Sequence, residues 1–326
     1  MFNSGVTGRT RPHLVLGGTG FIGRHVALAI AKSGDHVTIA SRTPPKFEFP
    51  TEVRSRIAWI CLDVASADWL PLLREVRSVH HYAWASIPAT AQDDPARDVV
   101  VNLVPLISLL QAFKELPTGS VPLIFSSSGG TVYGKLSQIP ATETHELDPI
   151  TAYGATKVAA EQYLRLYRHL YGVDVRIARI ANPYGAGQST SSPQGVIAAT
   201  IASALRNQPV TIWGDGTIVR DFIYISDVVS GLIALSRAES ECLPYSEFNI
   251  GTGDGSSIRD VVRTLDAIIG TSVMVKYETG RAYDVPVSVL DVSRAATVLS
   301  WRPEVSLVEG MGRTVEALKG GGAFSH

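Results

Sequence analysis

Three features of this 326-residue sequence predict an α/β protein: a doubly wound parallel sheet with a smaller C-terminal α/β lobe. A short apolar run, Leu14–Leu16, passes through Gly17, Gly20 and Gly23 into a stretch with helical apolar spacing at Val26, Leu28 and Ile30. Strand-length apolar runs then alternate with amphipathic stretches to about residue 185, as parallel strands joined by crossover helices do. Beyond that point serine-rich and glycine-rich turns take over, which marks a second lobe.

The strand, turn and helix at the start are the arrangement of a Rossmann-type dinucleotide site. Free amide groups and the helix dipole favour a pyrophosphate over the helix N-terminus. Gly17 takes the turn conformation, Gly20 admits the phosphates and Gly23 lets the helix lie close to the sheet. Thr19, Phe21 and Ile22, which complete the turn, join these glycines as expected cofactor contacts. Glycines serving only as turn and packing residues are the competing reading, and the flanking strand and helix weigh against it.

The second strand, His36–Ala40, ends at Ser41-Arg42, where the adenosine ribose is read. A hydroxyl and a cation there suit the 2′-phosphate of NADP better than the bare ribose of NAD, although a solvated surface arginine is the plainer alternative. The third strand, Ile57–Leu62, delivers Asp63 and Val64 to the adenine. A short helix at Trp69–Val76, a strand at Val79–Ala85, a long apolar helix at Val99–Leu116 and a strand at Val121–Phe125 follow, the last emptying into Ser126–Gly130. The next helix is Thr151–Tyr171 and the next strand Val175–Ile180, ending at Ala181–Gly185.

In the second lobe we expect a polar loop at Gln188–Gly195, helices at Val196–Asn207, Ser226–Ser236, Ser257–Ile269 and Ser306–Leu318, and strands at Pro209–Trp213, Glu247–Ile250 and Val273–Tyr277. Residues 12–185 are read as the NAD(P)-binding domain. Residues 186–318 are read mainly as the substrate lobe, partly interleaved with the first.

A formal charge of −1 gives no electrostatic reason to expect nucleic acid or an anionic membrane as partner. The two cysteines, Cys61 and Cys242, are too far apart in sequence for a metal-ligand spacing, so neither a metal site nor a disulfide framework is expected, and a reducing, cytoplasmic setting is. No export signal and no apolar run of membrane-spanning length are read. Met1–Arg11 and Gly320–His326 are expected to be a disordered leader and a frayed tail.

Tyr153 and Lys157 lie one helical turn apart and so share a face. A neighbouring ammonium stabilises a phenolate, which makes such a tyrosine a candidate base for a sugar hydroxyl that loses hydride from the same carbon. Ser127 and Ser128, at the mouth of the preceding strand, are candidates to steady the reacting oxygen; either one also fits a turn or cap.

Taken together, GGTGFIG at 17–23, SSSGGTVYG at 126–134, YGATK at 153–157, NPYG at 182–185 and GDGTIVRDFIYISDV at 214–228 resemble the extended short-chain dehydrogenase/reductase superfamily. The resemblance, which runs from about His13 to Pro303, is to its NAD-dependent epimerase/dehydratase family and to the nucleotide-sugar branch typified by UDP-glucose 4-epimerase. It implies that Tyr153 is the base and that Lys157 holds the nicotinamide ribose and lowers the tyrosine pKa. The family's catalytic serine or threonine falls by count on Gly129; an extra glycine brings Ser128 to that place, with Ser127 in reserve. The resemblance further implies a sugar contact from Thr131, a contact of Asn182 with the substrate phosphate or sugar, diphosphate contacts from Arg220 and Arg281, and an Asp284 that orients Arg281. A histidine-leucine-alanine-alanine run is usual at the fourth strand, and His81-Tyr82-Ala83-Trp84-Ala85 departs from it.

Gly129-Gly130-Thr131 lacks the acidic residues of dehydratases and decarboxylases, so those reactions are not expected. The implied activity is a nucleotide-sugar 4-epimerase working through a 4-keto intermediate on a nucleotide-diphosphate sugar. The alternatives are an NADPH-dependent reductase of a 4-keto-6-deoxysugar nucleotide and a non-catalytic dinucleotide-binding sensor or scaffold. A homodimer formed through the helices at Val99–Leu116 and Thr151–Tyr171 is also implied.

Overall fold

The computed structural model describes residues 11–190, 195–281 and 284–320; most of the expected leader and tail, and residues 191–194 of the polar loop, lie outside the described residues. The chain opens with β1 (His13–Leu16), α1 (Phe21–Lys32), β2 (Val37–Ser41), α2 (Thr51–Arg54), β3 (Ile57–Cys61), α3 (Trp69–Arg74) and β4 (Ser78–His81). Next come α4 (Pro88–Asp93) and α5 (Pro95–Asp98), which continue through a π-helical turn, Val99–Leu103, into α6 (Val104–Phe113). Then β5 (Leu123–Ser128), α7 (Ala152–Tyr171) and β6 (Val175–Ile180) complete the first half.

The second half contains β7 (Asn182–Tyr184), α8 (Val196–Leu205), β8 (Val210–Trp213), β9 (Val219–Arg220), β10 (Phe222–Tyr224), α9 (Ile225–Arg237) and β11 (Glu247–Ile250). It ends with β12 (Ser256–Ser257), α10 (Ile258–Ile269), β13 (Val275–Glu278), β14 (Val287–Ser288), α11 (Ser293–Val298) and α12 (Leu307–Gly320).

The main sheet has seven parallel strands in the order β3-β2-β1-β4-β5-β6-β11. The order reverses between β1 and β4, and the crevice at such a switch point is where doubly wound sheets bind ligands. Apolar side chains alternate across the sheet: Leu14, Leu16, Leu123 and Phe125 pack on the α3, α6 and α7 side, and Val15 and Ile124 on the α1 and α9 side. Smaller sheets, β8 with β13, β7 with β10, and β12-β9-β14, build the second lobe.

Four details differ from the sequence reading. The strand expected in the second lobe at Glu247–Ile250 is the edge strand of the main sheet, paired to β6. The fourth strand stops at His81 rather than Ala85, and the Ala85 amide is taken instead by Asn102 Oδ1 at 2.7 Å. The fifth strand runs on through Ser126–Ser128, because these residues pair with Ala178–Ile180. Finally, Pro95–Phe113 is one continuous 19-residue helical run with mean hydropathy 1.4, long and apolar enough to cross a bilayer, where no such run was expected. Its Leu106, Leu109 and Leu110 are fully buried in the core, which gives the apolar composition a packing origin.

The helix α7 owes its limits to local chemistry. Thr151 Oγ1 accepts the Gly154 amide at its start, and Gly172 closes it with φ of 63°. Its inward face carries Lys157, Ala160, Glu161 and Leu164, at the i, i+3, i+4, i+7 spacing of a buried stripe. Glu161, fully buried, receives Arg179 of β6 through Nη2 at 2.6 Å and Nε at 3.1 Å, together with the Ser127 hydroxyl at 2.5 Å. Arg179 extends the network to Tyr133 and the Glu143 carbonyl.

Removing one partner of such a pair leaves an uncompensated buried charge. Glu161→Gln is therefore expected to cost about 3–5 kcal/mol, read as a lower urea midpoint; an unchanged midpoint would show that the pair adds nothing.

Acid provides a second test. Burial pushes His13 down to about 4 and His80 and His81 down to about 3. These imidazoles stay neutral in the fold while the unfolded chain protonates them below about pH 6.5. Their stabilising effect is thus complete above that pH and is lost progressively towards the folded values, at about 1.4 kcal/mol per pH unit for each. The urea midpoint should fall steadily from pH 7 to pH 5.

Candidate active site

The cleft at the switch point has a volume of about 990 Å³, at the upper end of the ~300–1,000 Å³ typical of small-molecule sites. Gly17, Thr19 and Gly20 form one wall, Ser41, Arg42, Asp63 and Val64 the adenosine end, and Trp84, Asp98 and Asn102 the opposite side. Gly17 has φ of 76°, and a Cβ there would meet Ala83 N at 2.8 Å. A Cβ on Gly23 would lie 2.3 Å from the Gly17 carbonyl, so both glycines are dictated by close backbone approach. Gly18, which the sequence reading passed over, is equally constrained, because its Cβ would strike Ile39 at 2.5 Å.

Gly20 caps α1 without any side chain, which leaves the first-turn amides, those of Phe21 and Ile22 included, without a capping acceptor. That cradle fits a pyrophosphate. The Phe21 and Ile22 side chains pack against the core, so these two residues offer backbone to the cleft. At the adenosine end the Ser41 hydroxyl is already engaged: it donates to Thr43 O at 2.7 Å and accepts Trp59 Nε1 at 3.0 Å. Arg42 is exposed and forms no ion pair among the described residues.

Tyr153 and Lys157 adjoin the cleft through Trp84. The Lys157 side chain is buried, its Nζ donating to Ser126 O at 2.8 Å and lying 3.6 Å from the Trp84 ring centre, 4.8 Å from that of Phe125 and 5.7 Å from that of Tyr153. A carbonyl and three aromatic faces thus surround the ammonium. Burial pulls Lys157 down to about 7 against the opposing charges of Glu161 and Asp98. Burial also raises the Tyr153 pKa, and the Asp98 charge raises it further. In the protein alone, burial and the Asp98 charge thus place Tyr153 above its ordinary value.

The structure separates the two candidate serines. Ser127 is turned away to Glu161 beneath α7, a correction to its reserve catalytic role, since its hydroxyl proton is committed to a buried carboxylate. The half-buried Ser128 hydroxyl makes no hydrogen bond among the described residues. Thr131 follows in the same turn, its buried Oγ1 also without a partner among the described residues. Asn182 lies beside this turn, 3.6 Å from where a Gly130 Cβ would sit, and its Nδ2 donates to Asp221 O.

Asp284 pairs with Arg220 at 3.5 Å, not with Arg281 as expected, because β14 runs beside β9 and brings the preceding loop to Arg220. Arg220 is further held by donation to the Val219 and Val285 carbonyls. Arg281 lies on the exposed Trp213 ring at 4.1 Å, an outer position on the second lobe. Sequence reading also missed a cluster at the inner wall, where Asp98 accepts from the Ser86 hydroxyl and from Asn102 Nδ2. Its visible trace was a pair of polar residues, i and i+4, in the otherwise apolar run DVVVN.

Comparison with known proteins agrees with this geometry. UDP-glucose 4-epimerase of Mycolicibacterium smegmatis is 32% identical over 309 residues, covering 93% of this chain and 97% of its own. The crystal structure of UDP-glucose 4-epimerase from Thermotoga maritima with UDP-glucose superposes with a TM-score of 0.85 at 31% identity, covering 95% of this chain and 99% of that one. The Thermus thermophilus UDP-glucose 4-epimerase complex with NAD superposes with a TM-score of 0.83 at 30% identity over the same shares. The model of the NAD dependent epimerase/dehydratase family matches residues 13–251, from the first strand of the main sheet to just past its last, and the chain belongs to that family.

Proposed function

We propose that this protein is a UDP-sugar 4-epimerase that interconverts hexose epimers by reversible hydride transfer, with NAD held in the switch-point cleft. One observation carries the reading: Tyr153 and Lys157 stand together behind Trp84, which lines that cleft, on a helix whose first turn packs against a Ser128–Thr131 turn that offers hydroxyls and no carboxylate. Similarity to the NAD-bound and UDP-glucose-bound epimerases supports the choice of cofactor and nucleotide.

Bound along the glycine turn, NAD supplies a hydride acceptor that becomes a hydride donor. Tyr153 takes the proton of the sugar 4-hydroxyl and returns it to the 4-keto sugar. Burial and Asp98 leave Tyr153 a phenol in the protein alone, so it becomes a base when further positive charge enters the cleft. Lys157 holds the adjacent ribose, and its ammonium adds to the charge that enters with the oxidised nicotinamide. Ser128 and Thr131 direct donors at the reacting oxygen, and Asn182 meets the sugar. Arg220, half-buried and pre-set by two carbonyls, grips the diphosphate, while Arg281 closes on it from the second lobe. Epimerisation requires this grip to persist while the hexose turns over.

Arg42 favours a second reading, NADPH-dependent reduction, because its exposed guanidinium at the adenosine end suits a 2′-phosphate. We further propose a homodimer through the π-helical turn, α6 and α7, where Val100 and Val104 are 60% and 53% exposed, and Leu166 and Leu170 are 45% and 54% exposed. Side chains of that size on one face of neighbouring helices favour burial against a second copy.

The deciding experiment identifies the dinucleotide released from the purified protein and assays a UDP-sugar panel without added reductant. Epimer formation without net cofactor consumption is the expected outcome; a strict requirement for stoichiometric NADPH overturns it. Tyr153→Phe should retain the bound dinucleotide and lose on the order of 10²–10⁴ in kcat. Replacing Leu166 and Leu170 together by glutamate should convert the dimer to monomers in sedimentation; a wild-type monomer would overturn the assembly.

A further inference from the structure

The Lys157 ammonium has no carboxylate in ion-pair contact among the described residues, although its side chain is buried. A buried charge without a counter-charge loses its proton, so its field must be balanced from farther away. Two carboxylates face it. Glu161, on its own helix, is saturated by Arg179, Arg165 and the Ser127 hydroxyl. Asp98, at the end of α5, is not.

Asp98 is 2% exposed. Its Oδ1 accepts from the Ser86 hydroxyl and from Asn102 Nδ2, whereas Oδ2 is buried with no hydrogen-bond partner, and no cation pairs with it among the described residues. The cluster is rigidly mounted, since Asn102 Nδ2 also donates to the Asp98 carbonyl and Asn102 Oδ1 holds the Ala85 amide. It sits where the π-helical turn begins and lines the same cleft as Trp84. From β4, His81 also faces Lys157, but burial and the Lys157 charge keep its imidazole neutral, down to about 3. The remaining neighbours, the Ser126 carbonyl, Phe125 and Trp84, carry no charge. One ammonium and one uncompensated carboxylate are therefore left, with a neutral phenol beside them.

We propose that Asp98 is a positioning residue of this site, a fixed buried counter-charge that keeps Lys157 an ammonium and sets the pH range in which Tyr153 exchanges its proton. The inference rests on the reading of Tyr153 and Lys157 as the acid–base pair. Its sign follows from Coulomb's law: a negative charge favours the protonated form of both groups. The link is spatial: α5 and the π-helical turn that follows it both pack against α7, the helix that carries Tyr153 and Lys157. Removing the charge without changing shape must move both titrations to lower pH.

Asp98→Asn is the test, because the amide oxygen can still accept from Ser86 and Asn102. In the protein freed of dinucleotide, the tyrosinate absorbance of wild type minus that of Tyr153→Phe isolates the Tyr153 titration. In Asp98→Asn it should move to lower pH, while burial still holds it above the ordinary value. In the loaded enzyme both limbs of the kcat–pH profile should move to lower pH together. Ser86→Ala removes a hydrogen bond but keeps the carboxylate, so it should leave both limbs in place.

An Asp98→Asn profile lowered equally at every pH, with the Tyr153 titration unmoved, would reduce Asp98 to a structural role and overturn the inference. Absence of epimerase activity in the wild type, with the absorbance shift intact, would instead overturn the epimerase reading and leave the counter-charge standing.

Discussion

The contact between Glu161 and Arg179 is what the rest of the site depends on. It is a charge-assisted, two-point bond in a part of the core closed to water, and it locks the rotation and height of α7 against β5 and β6. Lys157 lies one turn before Glu161 on that helix, and Tyr153 one turn before Lys157. Once the carboxylate is seated, both reach the strand ends without freedom to slide. Ser127 belongs to this anchor, so two adjacent serines of one strand differ: one fastens the helix, and the half-buried hydroxyl of the other makes no hydrogen bond among the described residues.

A second consequence is electrical. Arg179 and Arg165 pair with Glu161, yet its charge still supports the Lys157 ammonium one turn away. Burial, with the Asp98 charge added, leaves the Tyr153 phenol a weak acid in the protein alone. On the proposed reading, such a site becomes basic when a cation enters it, which would couple proton transfer to the presence of an oxidised cofactor.

Trp84 gives this member of the family its own character. Its indole covers the Lys157 ammonium at 3.6 Å and packs edge-on against both Phe125 and Tyr153. It replaces water around the charge with a polarisable face, which removes hydration while retaining some of its stabilisation. The ammonium is thereby kept dry beside the reacting groups, and an ionic partner becomes necessary at longer range.

Much of this was legible in the chain. The glycine spacing at 17, 20 and 23 encodes a turn with no room for side chains, and the alternation of strand and helix periods encodes a parallel sheet, because both are local consequences of backbone sterics and burial. The pairing of Tyr153 with Lys157 was legible for the same reason, since a helical turn fixes their relation. What depended on distant segments was not. The sequence placed Glu247–Ile250 in the wrong layer, assigned Asp284 to Arg281 instead of Arg220, and showed no reason to separate Ser127 from Ser128. It also held no sign that Asp98 would face Tyr153. Strand order, ion pairing and the direction of a field are set by which elements pack together, and desolvation exists only once they have packed; periodicity and spacing carry neither.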